Sequence, residues 1–139
     1  MNAFFDSSAL AKRYVEEKGS DQVQAILSSA SALAVSVICV PEIVSALCRR
    51  RRERKLSTEE YRNARASVLS DIDDATVVGI TEEVIAQAVA LLERFPLRSA
   101  DALHVACAAE WSTDLFVSAD DRQCTAARAR GLRVEAMRG

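Results

Sequence analysis

Short runs of β-branched and aromatic residues alternate along this chain with longer segments in which apolar residues recur at helical spacing. This alternation is typical of an α/β domain with a mainly parallel central sheet, because helices make the crossings that return the chain to the same edge. The candidate strands are residues 3–5, 33–37, 76–80, 114–118 and 132–135. The pattern therefore predicts a parallel sheet with helices packed against it.

Helix signals mark several of the segments between these strands. Residues 57–60, with the sequence Ser-Thr-Glu-Glu, form a capping box, which predicts that a helix begins there. The inward face of this helix is predicted at Tyr61, Ala64, Val68 and Ile72. A second helix is predicted between a Thr81 cap and Pro96, with an inward stripe of Val84, Ile85, Ala88, Leu91, Leu92 and Phe95. Gly19 and Gly131 are predicted to end helices.

Length, hydropathy and cysteine spacing limit the classes of protein that remain. A chain of 139 residues fits one domain, residues 1–139, and no apolar run reaches the about 20 residues that a membrane span needs. Residues 1–6 show no signal-peptide pattern, so we expect a soluble cytoplasmic protein. Four cysteines form no CxxC pair and are predicted to be buried thiols rather than zinc ligands or disulfides; they are Cys39, Cys48, Cys107 and Cys124.

Four acidic residues stand at predicted strand ends or helix starts, in otherwise apolar surroundings. In the first half of the chain these are Asp6 and Glu42. Asp6 follows the first candidate strand and precedes Ser7 and Ser8, which are predicted to cap the next helix. Pro41 is predicted at the first position of a helix, which places Glu42 in the opening turn of that helix.

The other two acids are Asp101 and Asp120. Ser99 is predicted to be an N-cap, so Asp101 falls in the first turn of a helix. Residues 100–109 of that helix are otherwise apolar except for His104, so Asp101 must face something polar. Asp120 follows the fourth candidate strand as that strand ends.

For any one of these acids, helix capping or the helix dipole is the preferred explanation. Together they indicate a site, because strand C-termini and helix N-termini share one edge of a parallel α/β sheet. Ionised carboxylates about 4 Å apart repel by about 4 kcal/mol at an effective dielectric near 20, so a cluster needs protons or cations. Oxygen ligands without cysteine favour Mg²⁺ or Mn²⁺, and such an ion supports phosphodiester hydrolysis.

The stretches around these acids resemble the PIN-domain nucleases, and within them the VapC-type toxins of bacterial toxin–antitoxin pairs. The matching motifs are residues 5–10 (FDSSAL), 41–47 (PEIVSAL), 99–106 (SADALHVA) and 117–120 (VSAD). They occur in order over nearly the whole chain, and Asp-Ala-Leu-His is the most specific. The resemblance implies a PIN-like fold, a three-layer sandwich whose central parallel sheet, ordered 3-2-1-4-5, lies between helices.

The resemblance also implies endonuclease cleavage of RNA that depends on Mg²⁺ or Mn²⁺. Carried over by position, Asp6 and Asp101 are the first candidates for metal ligands, and Glu42 and Asp120 complete the acidic site. The implied partners are a VapB-type antitoxin, which inhibits through an inserted tail, and a second copy of the chain in a homodimer.

Four residues near these acids leave alternatives open. Ser118 stands where the family often has threonine, and we expect Ser118 and Ser8 to orient a carboxylate or water. His104 is predicted to be a buried residue, hydrogen-bonded in the core or to the site residues, with a catalytic base as the alternative. Asp121 is the alternative to Asp120 if the strand ends one residue later.

Six basic residues crowd into residues 49–55 with a single acidic one, Glu53. The core of this basic run is Arg49, Arg50, Arg51 and Arg52. It is either a solvated helix end, which the helix dipole favours, or a contact for RNA phosphates or the antitoxin. The sequence leaves both interpretations open.

Two other functions compete with a toxin nuclease. A free-standing PIN nuclease, or a catalytically silent PIN-like module that binds RNA or protein, would share the same motifs. A phosphatase of the haloacid-dehalogenase type is disfavoured, because it needs a second aspartate two positions after the first and residue 8 is serine.

Overall fold

The structure is a computed structural model that describes residues 1–137, and five parallel strands form its central sheet. The strands are β1 (Asn2–Phe5), β2 (Ala32–Ser36), β3 (Thr76–Val78), β4 (Leu115–Ser118) and β5 (Val134–Ala136). Their order is β3-β2-β1-β4-β5, and every neighbouring pair is parallel. The predicted parallel sheet and its order are therefore confirmed.

Helices connect the strands. They are α1 (Ser7–Leu10), continued by a 3₁₀ turn at Ala11–Arg13, then α2 (Ser20–Ser29), α3 (Cys39–Arg52), α4 (Thr58–Asp73), α5 (Glu82–Arg94), α6 (Ser99–Glu110) and α7 (Asp121–Ala129). The order of strands and helices along the chain follows the alternation in the sequence.

Alternate residues of β1 point into two different cores. Ala3 and Phe5 pack into a core with residues of α1 to α4, whereas Phe4 packs into a second core with residues of α5, α6 and α7. All three side chains are fully buried. A strand buried on both faces needs a continuous apolar run, which explains the sequence of β1 and gives the three-layer sandwich.

The caps at the starts of α4 and α5 follow local sequence. Ser57 Oγ accepts a hydrogen bond from Glu60 N at 3.0 Å, and Glu60 Oε1 accepts one from Ser57 N at 2.8 Å, which confirms the capping box. Thr81 Oγ1 caps α5 by accepting from Val84 N at 3.2 Å. Tyr61, Ala64 and Val68 are buried on α4 as predicted, with Ile72 half-buried.

Two of the predictions about helices were wrong in detail. On α5, Val84, Ala88 and Leu91 are buried, but Ile85 and Leu92 are 48% and 39% exposed, so the buried stripe is narrower than predicted. Gly131 follows the end of α7 with a left-handed φ of 88°, as predicted for a helix stop. Gly19, with φ of 94°, instead precedes α2 as its N-cap.

Cys39, Cys107 and Cys124 are buried and Cys48 is half-buried, and all four are free thiols. The prediction of buried thiols is therefore confirmed for Cys39, Cys107 and Cys124 and holds only in part for Cys48. Within residues 1–137, no helix combines the length and the apolar character that crossing a membrane requires.

Candidate active site

Asp6 lies immediately after β1 and caps α1. Its Oδ1 atom accepts a hydrogen bond from Ala9 N at 3.0 Å, so Asp6 itself is the N-cap and the predicted capping by Ser7 or Ser8 was wrong. Ser8 Oγ lies 2.8 Å from both carboxylate oxygens, and Ser118 Oγ donates to Oδ2 at 2.7 Å. The Asp6 carboxylate is thus held by groups from α1 and β4.

The Asp6 side chain is completely buried. Burial raises the pKa of the Asp6 carboxyl above its usual value, although hydrogen bonds from Ala9, Ser118 and Ser8 favour the ionised form. A carboxylate buried in this way is stabilised by either a proton or a nearby cation. The burial of this carboxylate is the main indication that a cation binds at this edge of the sheet.

Ser118 and Ser8 join Asp6 to the end of β4. Ser118 Oγ accepts a hydrogen bond from Asp120 N at 2.9 Å, and Ser8 Oγ accepts one from Ala119 N at 3.0 Å. Both serines therefore contact a carboxylate directly, the placement expected for residues that orient it.

Asp120 is the N-cap of α7, and Asp121 is the first residue of that helix. The Oδ1 atom of Asp120 accepts hydrogen bonds from Arg122 N at 2.9 Å and Gln123 N at 3.2 Å. The backbone of Asp120, rather than that of Asp121, is tied to Ser118 and through it to Asp6. The strand ends where the sequence suggested, so Asp120 occupies the position predicted for the fourth acid.

Glu42 lies in the first turn of α3, and its side chain is 35% exposed. Its Oε1 atom accepts a hydrogen bond from Ser7 Oγ at 2.7 Å and lies 2.5 Å from His104 Nε2. Partial burial acts to raise the pKa of Glu42, but the hydrogen bonds from His104 and Ser7 outweigh it and hold the pKa below its usual value. Pro41 is the third residue of α3, because the helix begins at Cys39, two residues before the predicted start.

His104 is 1% exposed and is one of the buried residues of α6. Its partner is Glu42 on α3, although it shares α6 with Asp101. Its Nδ1 atom has no hydrogen-bond partner within residues 1–137. The contact explains how a histidine is accommodated in the apolar face of α6.

Asp101 is 5% exposed and lies at the third position of α6. Its Oδ2 atom accepts a hydrogen bond from Arg98 N at 3.2 Å, and its Oδ1 atom accepts one from Gln123 Nε2 at 3.1 Å. Arg98, and not Ser99, is the N-cap of α6, so that prediction was wrong by one residue. Both oxygens of Asp101 are thus oriented by neighbours on α6 and α7.

Two residues of this network had not been singled out as site residues from the sequence. Ser7 contacts Glu42, and Gln123 contacts Asp101 while its Oε1 atom is buried without a hydrogen-bond partner in the described chain. Ser7 lies beside Asp6 in the first motif, so its position in the sequence could have identified it as a site residue. Nothing in the sequence identifies Gln123, because a glutamine on an amphipathic helix is ordinarily a surface residue.

A cleft of about 360 Å³ opens where the starts of α6 and α7 meet. We call it the acidic cleft, and it is lined by Arg98, Asp101, Asp120, Asp121 and Arg122. Three carboxylates face the same small volume, so a cation or positively charged side chains must offset their repulsion.

The predicted acids all lie at the carboxyl edge of the sheet, but Asp101 and Asp120 line the acidic cleft whereas Asp6 and Glu42 are not among its lining residues. Asp6 connects to the backbone of Asp120 through Ser118, whereas Glu42 connects to His104. Within residues 1–137, no group of three or more His, Cys, Asp or Glu side chains is arranged to hold a metal ion. The carboxylate oxygens at this edge of the sheet are donors of the kind that Mg²⁺ and Mn²⁺ prefer.

The core of the basic run, Arg49 to Arg52, forms the last turn of α3, and Arg54 and Lys55 follow the end of that helix. Arg50 forms an ion pair with Glu17 at 3.0 Å, and the guanidinium of Arg51 lies 4.5 Å from the centre of the Tyr61 ring. These contacts, together with the helix dipole, agree with a helix end stabilised within the fold. Arg49 lies seven residues after Glu42, about 10 Å further along the helix.

Several solved structures share this fold. VapC20 from Mycobacterium tuberculosis matches with a TM-score of 0.69 at 19% sequence identity, covering 89% of this chain and 94% of that chain. A chain of the DNA-bound VapBC structure from Salmonella typhimurium gives a TM-score of 0.68 at 12% identity, with 99% and 98% covered. FitAcB from Neisseria gonorrhoeae gives 0.65 at 16% identity, with 95% of each chain covered.

Comparison of the sequence with models of protein families identifies the family, whereas the solved structures show only the fold. No curated protein matched the chain in a sequence comparison. A family model described as the PIN domain matches residues 3–129, a range that contains Asp6, Glu42, Asp101 and Asp120. The observed sheet order is also the one expected for this fold. The chain therefore belongs to the PIN domain family, whose members are nucleases.

Proposed function

We propose that this protein is a metal-dependent endoribonuclease that hydrolyses RNA phosphodiester bonds and serves as the toxin of a type II VapBC toxin–antitoxin pair. The observation that carries the proposal is the fully buried Asp6 carboxylate, held by Ser8 and Ser118 at the sheet edge that also bears Asp101 and Asp120. A similar structure, VapC20, is described as a toxin that cleaves the sarcin–ricin loop. PIN nucleases generally depend on divalent metal ions, which supports the choice of cofactor.

In this proposal Asp6 and Asp101 bind Mg²⁺ or Mn²⁺ directly, and Glu42 and Asp120 contribute to the same acidic site. The bound ion would polarise the scissile phosphate and lower the pKa of the attacking water. Ser8 and Ser118 keep the oxygens of Asp6 in place, and Gln123 does the same for Asp101.

Glu42 has a distinct part in the proposed reaction. Its lowered pKa keeps it ionised near neutral pH, and Ser7 and His104 both engage its Oε1 atom. Its Oε2 atom has no hydrogen bond from any of residues 1–137 and is available to bind a cation. His104 orients Glu42 in this scheme and does not itself act as the base.

Removing divalent ions is expected to stop cleavage. Purified protein should cut single-stranded RNA in Mg²⁺ or Mn²⁺, lose activity in EDTA and regain it when excess Mg²⁺ is added. Metal binding should also stabilise the fold by about 2.7 kcal/mol at a concentration of 100 Kd, which thermal unfolding with and without Mn²⁺ measures independently of activity. Cleavage that persists in EDTA would refute metal dependence, and equal cutting of DNA with the same sequence would refute RNA specificity.

An antitoxin of the VapB type is the proposed protein partner. The supporting comparisons include VapBC from Rickettsia felis and from Salmonella typhimurium, both described as bound to DNA. A free-standing PIN nuclease or a catalytically silent module is the alternative. A short upstream reading frame for a small DNA-binding protein with a disordered tail would support the toxin, and its absence would favour the alternatives.

A homodimer is also proposed, and the exposed face of α5 supports it. Ile85, Val89 and Leu92 follow one another at helical spacing and are 48%, 50% and 39% exposed. Apolar stripes of this kind on a soluble domain commonly mark protein interfaces. We expect Val89→Glu to convert a dimer to a monomer in light scattering, whereas Ala129→Glu, at an exposed position on α7, should not. A parent protein that is monomeric at high concentration would contradict the proposal.

A further inference from the structure

Two arginines line the acidic cleft together with its three aspartates. We infer that Arg98 and Arg122 bind phosphates of the RNA strand and hold it against the carboxylates. This inference rests on the proposed RNA substrate. It assigns strand binding to residues outside the basic run, which had been the candidate from the sequence.

Charge is the first argument. An RNA strand is a polyanion, and three carboxylates facing one cleft would repel it. The two guanidinium groups provide positive charge at the place where substrate must approach those carboxylates. Guanidinium is suited to this position because its fork of N–H donors can bind two phosphate oxygens at once and because it stays charged at any working pH.

The second argument is that both guanidinium groups have N–H donors that are not hydrogen-bonded to residues 1–137. The Arg98 side chain is 81% exposed, and only its Nε atom approaches Asp101 Oδ2, at 3.4 Å. The exposed side chain of Arg122 makes no hydrogen bond or ion pair with residues 1–137. In contrast, Arg13 and Arg50 are bound to Asp71 and Glu17.

The third argument is positional. The backbone N–H of Arg98 donates to Asp101, and the backbone N–H of Arg122 donates to Asp120. Each arginine is therefore anchored at its backbone by one of the proposed catalytic acids, while its side chain extends into solvent. This arrangement places both arginines beside the proposed catalytic acids, so a phosphate bound by either side chain would lie next to the carboxylates.

The kinetic test compares Arg98→Ala/Arg122→Ala with Arg133→Ala, which alters an exposed arginine at the amino end of β5. The double variant should raise the KM for single-stranded RNA by at least about tenfold with little change in kcat, because contacts made equally in the ground state and the transition state contribute to KM alone. Each lost contact should also make the plot of log kcat/KM against log salt shallower by about 0.7. Arg133→Ala should change neither the KM nor the salt dependence. Arg98→Lys/Arg122→Lys should retain part of the affinity for RNA, because lysine keeps the positive charge.

Binding is measured separately so that this inference and the nuclease proposal fail differently. A fluorescein-labelled single-stranded RNA is titrated in Mg²⁺ against Asp6→Asn protein, with and without the two arginine substitutions. Weaker binding and a shallower salt dependence in the arginine-substituted protein would support the inference. If the parent protein cut no RNA, that result would count against the nuclease proposal and not against RNA binding by the arginines.

Three results would overturn the inference. The first is unchanged RNA binding in Arg98→Ala/Arg122→Ala. The second is a loss that appears instead in Arg49→Ala/Arg52→Ala, which would assign the strand to the basic run. The third is weaker binding of an antitoxin with unchanged RNA binding, which would make these arginines a protein contact.

Discussion

Asp6→Asn and Asp101→Asn are each expected to reduce RNA cleavage by about 10³-fold or more, which corresponds to about 4 kcal/mol of lost transition-state stabilisation. Each substitution replaces an anionic oxygen by a neutral amide of the same shape, so it removes a proposed metal ligand without removing volume. Initial rates in Mg²⁺ and Mn²⁺, with RNA in excess, measure the loss.

These variants should remain folded. Asp6 is fully buried, so removing its charge offsets the loss of a hydrogen-bond acceptor, a loss worth about 1 kcal/mol. At position 101, the new amide can keep the hydrogen bond from Gln123 Nε2 through its oxygen, or donate to Gln123 Oε1 if the Gln123 amide turns over. We therefore expect metal-free thermal unfolding at or near the parental temperature, together with a smaller stabilisation by Mn²⁺.

Asp73→Asn is the matched control, because Asp73 is an exposed aspartate at the end of α4. It should cut RNA at the parental rate and keep the parental response to Mn²⁺. If Asp6→Asn and Asp101→Asn cut as fast as this control, the assignment of the metal site would be wrong. If they lose activity but bind Mn²⁺ as tightly as the parent, they would act in catalysis without binding the ion.

Phe4→Ala is expected to have the largest effect on stability, at about 3 to 5 kcal/mol. Phe4 lies in the central strand, is completely buried and stacks on Phe116 with ring centres 5.9 Å apart. Trp111 lies against it at 6.5 Å, so truncation leaves a cavity between sheet and helices. For a domain stable by about 5 to 15 kcal/mol, this is a large fraction, and urea unfolding measures it.

Val77→Ala provides the comparison within the same sheet. Val77 lies on the edge strand β3 and is 43% exposed, so its truncation should cost about 1 kcal/mol or less. An equal cost at both positions would contradict the two-core arrangement, in which Phe4 is central and Val77 peripheral. Because Phe4 precedes Asp6 by two residues, loss of this packing should also lower cleavage activity at temperatures where the fold remains populated.

Much of the fold could be predicted because it depends on local patterns. The capping box at Ser57, the Thr81 cap and the apolar run of β1 are properties of a few consecutive residues, and each appears where the sequence placed it. Helix starts were off by one or two residues at Ser99 and Pro41, because capping depends on backbone angles that several neighbouring residues can adopt. Ile85 and Leu92 were misplaced because helical spacing alone does not say how wide a face the sheet covers.

The polar contacts of the site could not be predicted from spacing. Ser7 and Glu42 are 35 residues apart, and Glu42 and His104 are 62 apart. Gln123 reaches Asp101 across 22 residues, from a different helix. Which side chains meet across such distances depends on how helices pack on the sheet and which rotamers the packing allows, and neither is visible in a residue pattern.

The parallel sheet, the position of each acid at a strand end or helix start, and membership of the PIN domain family could be inferred from local features, because strand and helix periodicity and the motifs each involve a few consecutive residues. The contact of His104 with Glu42, and the cleft that Arg98 and Arg122 share with Asp101 and Asp120, arise only in the folded chain. Packing α6 and α7 at one sheet edge brings these side chains together, and that packing is a property of the whole core.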